Sequence, residues 1–453
     1  MKLFFPTMFS GSDWLNDVLM DIDNNGTIKS LLSESKSSNA DEIIDGTCLP
    51  GMPNLHSHAF QRAMAGLTEI ASSGGSNFWT WQRVMYDFLT KLLPEDVEAI
   101  ASQLYMEMLK GGFTSVAEFH YLHNDKNGNQ FDNPSEMSDR IFAAANNTGI
   151  GLTHLPVLYA HGGFGALTPQ KGQKRFLQTI SQFQLLLETL YNRYGSDGQR
   201  KIGMALHSLR AVSPEMIKDA VTLMSKAPIH IHIAEQKKEV DQCIEWSGQR
   251  PVEWLLENIN VNKRWCLIHA THMNNKEINA LANTHAIVGL CPTTEANLGD
   301  GIFPLEKFML KKGKIGVGSD SNTSVDVAEE LRLLEYGQRL SQQRRNIGAI
   351  ENNTSTGETL FKASLAGGSQ ALDQPIGMLT PGRRADFIVL NNKHPVLFGR
   401  RGSAIIDSWI FTGGRELISD VFVAGQHLIK NHRHIRQENI ERRYHSTIKS
   451  LAN

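Results

Sequence analysis

His56 and His58 stand two apart in Leu49-Pro50-Gly51-Met52-Pro53-Asn54-Leu55-His56-Ser57-His58-Ala59-Phe60-Gln61, a short extended segment that stops in polar residues. Alternate residues of an extended chain share a face. The two imidazoles therefore project together and make half of a zinc-type coordination shell. The missing ligands, among other polar or ionisable strand-end residues, follow in order, each where an apolar run ends. Tyr121 follows 113–119, His207 follows 202–206, and His232 closes 229–233 with Glu235 just beyond; His269 follows 265–268 and Asp320 follows 315–318. Such groups buried without partners would cost about 2–7 kcal/mol each, so core filler is a poor explanation for them. Three imidazoles and a carboxylate suit zinc or another divalent transition metal. His56, His58 and His232 are the expected ligands, with Asp320 as the carboxylate beside the bound water. A metal so held lowers the pKa of its water to about 7. His230 shares the face of His232 but lies deeper, as a core residue or a support for the ligands, and His272 falls outside the group.

The elements that must position these residues alternate. Counting the histidine segment, eight β-branched and aromatic runs (49–61, 113–119, 150–159, 202–206, 229–233, 265–268, 286–290 and 315–318) are separated by helix-like stretches. One helix opens at Pro94-Glu95-Asp96 and another at Ser213-Pro214-Glu215, with serine as N-cap and proline in the first turn. Eight strands alternating with helices are the pattern of a (β/α)8 TIM-type barrel, whose chemistry sits where the strands end. No phosphate-binding glycine loop follows the first strand, which argues against an open doubly wound sheet. The expected division is a barrel over 49–374, a small flanking β-sandwich built from 1–48 and 375–430, and a C-terminal tail helix over 431–453.

Bulk properties narrow the class. The 453 residues are 41% hydrophobic and 20% charged with a net charge of −2, which provides for a large core and argues against nucleic acid or an anionic membrane as partner. The four cysteines, Cys48, Cys243, Cys266 and Cys291, form no C-x-x-C pair, so neither a disulfide framework nor a cysteine zinc site is indicated. Leu3, Phe4 and Phe5 are interrupted by Pro6 and followed by Asp13 and Asp17, so a secretory leader is not expected, and no run approaches the roughly 20 apolar residues of a membrane span. The expected setting is cytoplasmic.

With these residues in place, His56-x-His58, the histidines ending the fifth and sixth strands and the aspartate after the eighth resemble the amidohydrolase superfamily over essentially the whole chain. His232-Ile233-Ala234-Glu235 resembles the H-x-x-E of its deaminase branch, which implies that Glu235 shuttles protons. Binuclear members carry a modified lysine at the fourth strand; His207 stands in that region here, which implies one divalent metal ion per subunit, zinc foremost. Within the branch, 50–66, Phe78-Trp79-x-Trp81-x-Arg83, Glu118-Phe119-His120-Tyr121-Leu122-His123 and His207-Ser208-Leu209-Arg210 resemble the formimidoylglutamate deiminase family of histidine degradation. That resemblance implies a linear substrate with two carboxylates, N-formimino-L-glutamate, and a homodimer. It also implies that Arg83 and Arg210 hold the carboxylates, with Gln61, Tyr121 and His207 adding hydrogen bonds. Arginine suits that task because its planar fork takes a carboxylate bidentately. His269 and Asp320 would orient the attacking hydroxide, and Glu235 would protonate the departing nitrogen. The alternatives are a deaminase of a heterocyclic base in the same superfamily, or a barrel that has lost catalysis and only binds.

Overall fold

The computed structural model describes residues 1–70, 78–195 and 197–452. Parts of the expected barrel span (71–77 and Ser196) and the last residue of the expected tail helix (Asn453) lie outside them.

The eight runs form eight parallel strands: β1 (Met52–Ser57), β2 (Phe113–His120), β3 (Gly151–Leu158), β4 (Met204–Ser208), β5 (Ile229–Ile233), β6 (Trp265–His269), β7 (Ile287–Leu290) and β8 (Lys314–Val317). Each pairs with the next in chain order, and a short strand, Arg200–Ile202, adds to β3. Ile202 belongs to that short strand, so β4 itself begins two residues later than the sequence predicts. Strands covered by helices outside and packed inside read as continuous apolar runs, and β1, β2, β3, β5 and β6 are buried throughout. The sheet closes where β8 meets β1: Ser319 and Asp320 donate backbone N–H to His56 O at 3.1 and 3.0 Å, and His58 N donates to Asp320 O at 3.0 Å. Closure thus fixes the two ends of the chemistry-bearing set against each other. Gly316 lies on that seam; a Cβ there would come within 2.4 Å of the Leu55 side chain.

Helices return the chain over the outside. Pro94–Lys110 opens with Asp96 accepting from the Leu93 N–H, and Pro214–Leu223 opens with Ser213 Oγ accepting from Met216 N at 3.3 Å. Both starts fall where the sequence puts them.

Residues from both chain ends make a second sheet. Its strands are Lys2–Phe9, Trp14–Ile22, Ile28–Leu32, Glu42–Ile43, Thr47–Pro50, Phe387–Leu390, Ile418–Val423, Gln426–Lys430 and Arg433–His434. It is one hydrogen-bonded sheet around its own core of Phe5, Met20, Ile28, Phe387 and Phe422. The antiparallel pairing of Thr47–Pro50 with Phe387–Leu390 joins the two chain ends. The last helix, Gln437–Leu451, starts later than residue 431 because Arg433 first pairs with Lys430.

A buried ion pair ties this sheet to the barrel. Arg384 Nε and Nη2 reach Asp386 Oδ1 and Oδ2 at 2.8 and 2.6 Å, and Nη1 reaches Gln374 Oε1 at 2.7 Å. Arg384 Nη2 also donates to Ser115 Oγ, early in β2, and Asp386 Oδ1 accepts from Ala424 N at 2.9 Å. The cluster sits at the N-terminal end of the strands, the end where barrels keep structural residues.

Candidate active site

At the opposite end, β1, β5 and the turn after β8 bring three imidazoles and a carboxylate to one point. His56 Nε2 and His232 Nε2 are 3.0 Å apart. Asp320 Oδ1 is 3.5 Å from His56 Nε2 and 3.2 Å from His58 Nε2. The far ring nitrogens fix the tautomers: His58 Nδ1 donates to Phe119 O and His232 Nδ1 to His207 O, both at 2.9 Å. Their Nε2 lone pairs therefore face inward, as second-sphere bonds arrange them in metal sites. Burial lowers the pKa of all three histidines, that of His58 to about 3. They are neutral at pH 7, the form in which imidazole binds a metal. His56 Nδ1 has no hydrogen-bond partner among the described residues, and the three inward Nε2 atoms beside a carboxylate are a set that could hold a divalent cation. Asn54, Ser319 and Asn322 brace the group from behind: Asn54 Nδ2 donates to Ser319 Oγ at 2.7 Å, and Asn322 Nδ2 to the carbonyls of His58 and Asp320 at 3.1 and 2.8 Å.

His269 and Glu235 flank this point. His269 Nε2 lies 3.6 Å from Asp320 Oδ2 and 3.8 Å from Glu235 Oε1. Burial alone would lower its pKa, but the surrounding Glu235, Glu295 and Asp320 carboxylates outweigh burial and raise it to about 10. Burial pushes Glu235 up to about 7, a value suited to moving protons near neutrality. Burial would also raise Asp320, yet its imidazole neighbours hold it well below the usual carboxylate range. Three of these strand ends turn through the left-handed region without glycine: φ is +52° at Ala234, +69° at His269 and +44° at Asp320.

The cavity in front holds about 700 Å³ and is lined by His58, Gln61, Arg83, Tyr121, His207, Arg210, His232, Glu235, His269 and Asp320. Every site residue named from sequence except His56 borders it directly; His56 is fully buried behind the others. Gln61 Nε2 donates to Tyr121 Oη at 2.8 Å. Arg210 is half-buried and Arg83 lies exposed at the rim. His230 Nε2 donates to Ala371 O, 2.9 Å away in the core, and His272 Nε2 to Asp300 O at 2.8 Å, so neither reaches the cluster.

Several residues that hold this geometry escape sequence reading. Glu239, fully buried, accepts the backbone N–H of Ala234 and Glu235 at 3.1 and 3.0 Å and so fixes the turn that presents Glu235. Glu295 Oε1 stands 3.2 Å from His269 Nδ1 and accepts Cys291 N at 2.9 Å. Tyr159, whose hydroxyl accepts from Gln173 Nε2 at 2.7 Å, packs on His207. The spacing Glu235…Glu239 is the one available hint, since residues four apart meet across a helix start.

Comparison with known proteins places this geometry. The amidohydrolase family profile matches residues 47–428. The formimidoylglutamate deiminase of Pseudomonas aeruginosa is 48% identical over 432 residues, 95% of either chain. The 8-oxoguanine deaminase of the same organism is 27% identical over 351 residues, 75% of this chain and 73% of its own. Among solved structures, an amidohydrolase from Brucella melitensis superposes with a TM-score of 0.95 at 43% identity, covering 100% of both chains. A zinc-bound adenosine deaminase from Xanthomonas campestris shares the fold at a TM-score of 0.83 and 19% identity, covering 100% of this chain and 98% of its own.

Proposed function

This chain belongs to the amidohydrolase family, and on that premise we propose that it hydrolyses N-formimino-L-glutamate to N-formyl-L-glutamate and ammonia, a deimination in histidine degradation. The observation that carries this reading is the 48% identity, over 95% of both chains, to a relative named for that reaction. The site agrees with it chemically: a cation-type cluster, a carboxylate of near-neutral pKa and two arginines gather at one cavity.

We assign His56, His58, His232 and Asp320 to one divalent metal ion, zinc in our reading. A cation held there supplies Lewis acidity, bringing the pKa of a water at the site to about 7. Asp320 and His269 orient that water toward the formimino carbon. Glu235 takes up the proton that water loses and delivers it to the terminal nitrogen. The carbon gains the water oxygen, and the second proton of that oxygen also passes to the terminal nitrogen as the carbon–nitrogen bond breaks. The nitrogen leaves as ammonia with both water protons, while the oxygen stays as the formyl carbonyl. The other nitrogen stays on glutamate as a formamide. Arg210 and Arg83 hold the two carboxylates, and Gln61, Tyr121 and His207 complete the polar wall. All these residues lie within 49–374, so we assign the chemistry to that segment and a supporting role to 1–48 and 375–430. A homodimer in the cytoplasm belongs to the same proposal. Among the described residues no helix is long and apolar enough to cross a membrane.

The test is ammonia release from N-formimino-L-glutamate by purified protein, with and without chelator. Release that chelation stops and zinc restores is the expected result. Silence on this substrate beside turnover of a purine or pyrimidine would hand the site to heterocycle deamination.

A further inference from the structure

Lys238 occupies an expensive position. It lies in the first turn of the helix Lys237–Ser247, immediately after Glu235 and Gln236. A cation there opposes the helix dipole and costs about 0.3–1 kcal/mol. Asp241 stands three residues on, within reach of a helical pair, yet Lys238 makes no ion pair among the described residues. Its Nζ instead sits 4.5 Å from the ring centre of Trp79, a residue of the helix Phe78–Leu89. Arg210 Cζ lies 5.9 Å from the same ring.

Two cations, Arg210 from the turn after β4 and Lys238 from the helix that follows β5, thus approach one aromatic at the wall of one cavity, to which Lys238, Trp79 and Arg210 all contribute. Arg210 Nε is buried without a hydrogen-bond partner among the described residues. Like charges drawn together repel unless an anion enters between them, and an aromatic face under an ammonium holds the charge without neutralising it. Glu235, on which the charge of Arg210 acts, and Glu245 line the same cavity, and the cations over Trp79 leave room there for a ligand anion as a further counter-charge.

Resting on the reaction proposed above, we infer that Lys238, held over Trp79, is a third substrate-binding cation: it takes one carboxylate of N-formimino-L-glutamate and makes the cavity selective for a dicarboxylate.

Lys238→Met should raise KM for N-formimino-L-glutamate about tenfold, the loss of one charge-assisted hydrogen bond, with kcat within about twofold, as for a contact made equally in the bound substrate and the transition state. Lys238→Arg should restore most of the loss. Two monocarboxylates locate the contact: N-formimino-4-aminobutyrate keeps the side-chain carboxylate, and N-formimino-L-norvaline keeps the other. The variant should weaken one of them and spare the other. An unchanged KM on the dicarboxylate, or equal loss on both monocarboxylates, overturns the assignment. Calorimetric binding of glutarate to unaltered protein and to Lys238→Met separates this inference from the reaction. Weaker glutarate binding in the variant upholds the Lys238 contact even if the unaltered protein releases no ammonia; equal binding removes it.

Discussion

Two buried polar clusters sit at opposite ends of the same barrel, and they are built on opposite principles. At the N-terminal end Arg384, Asp386, Gln374 and Ser115 satisfy one another, with both carboxylate oxygens of Asp386 and all three guanidinium nitrogens of Arg384 engaged. At the C-terminal end the nitrogens of His56 and His232 face each other at 3.0 Å, and Asp320 keeps company with three imidazoles. The first cluster is complete in the protein alone. The second leaves His56 Nδ1 without a partner and could hold a cation. Burial costs a polar group the same at either end, so the pattern of partners, and not depth, separates a structural joint from a working site.

The comparison can be broken most decisively by removing the metal. Dialysis against a chelator should abolish ammonia release and lower the thermal midpoint, and zinc should restore both; retained activity would mean that the convergent imidazoles hold nothing that matters. Glu235→Gln comes next. It should keep bound metal, read by elemental analysis, while kcat drops by about 10²–10⁴, and near-normal turnover would remove the proton shuttle. Arg384→Met leaves Asp386 buried and unpaired and should cost about 3–5 kcal/mol in denaturant melts, with activity per folded molecule unchanged. His56→Ala, measured on metal-free protein in the same melts, should cost far less than the arginine variant, although it removes a fully buried side chain. A large loss there would make the two clusters alike.

The smallest effect concerns pH. Glu118 lies fully buried behind the histidine turn, accepting Ala59 N at 2.7 Å and the Tyr105 hydroxyl at 3.1 Å, and burial raises its pKa to about 8 from an ordinary 4.5. Between those values the folded chain holds a proton that the unfolded chain has released. Stability therefore falls as pH climbs from about 4.5 to about 8. Glu118→Gln should flatten that slope in melts at pH 5 and pH 8, and an unaltered slope would mean Glu118 ionises in the fold.

The strand ends were legible because a β-branched run that stops in histidine or aspartate announces both the strand and its mouth. His56, His58, His232, His269 and Asp320 share that signature. Glu239, Glu295, Lys238 and Arg384 carry none. Each is one charged residue among many on a helix or a connecting segment, and its importance depends on what the folded chain brings opposite it: a pair of backbone amides, an imidazole edge, an indole face, an aspartate two residues on. Sequence periodicity reports which face an element buries and is silent on what waits there. The terminal sheet was legible as strands, but its extension to Arg433–His434 rests on pairing across a turn that short segments do not advertise.

The left-handed backbone at Ala234, His269 and Asp320 has an evolutionary corollary. Non-glycine residues held there cost about 1–3 kcal/mol apiece, so relaxing them, as by Ala234→Gly, is a ready route to a hardier but slacker catalyst.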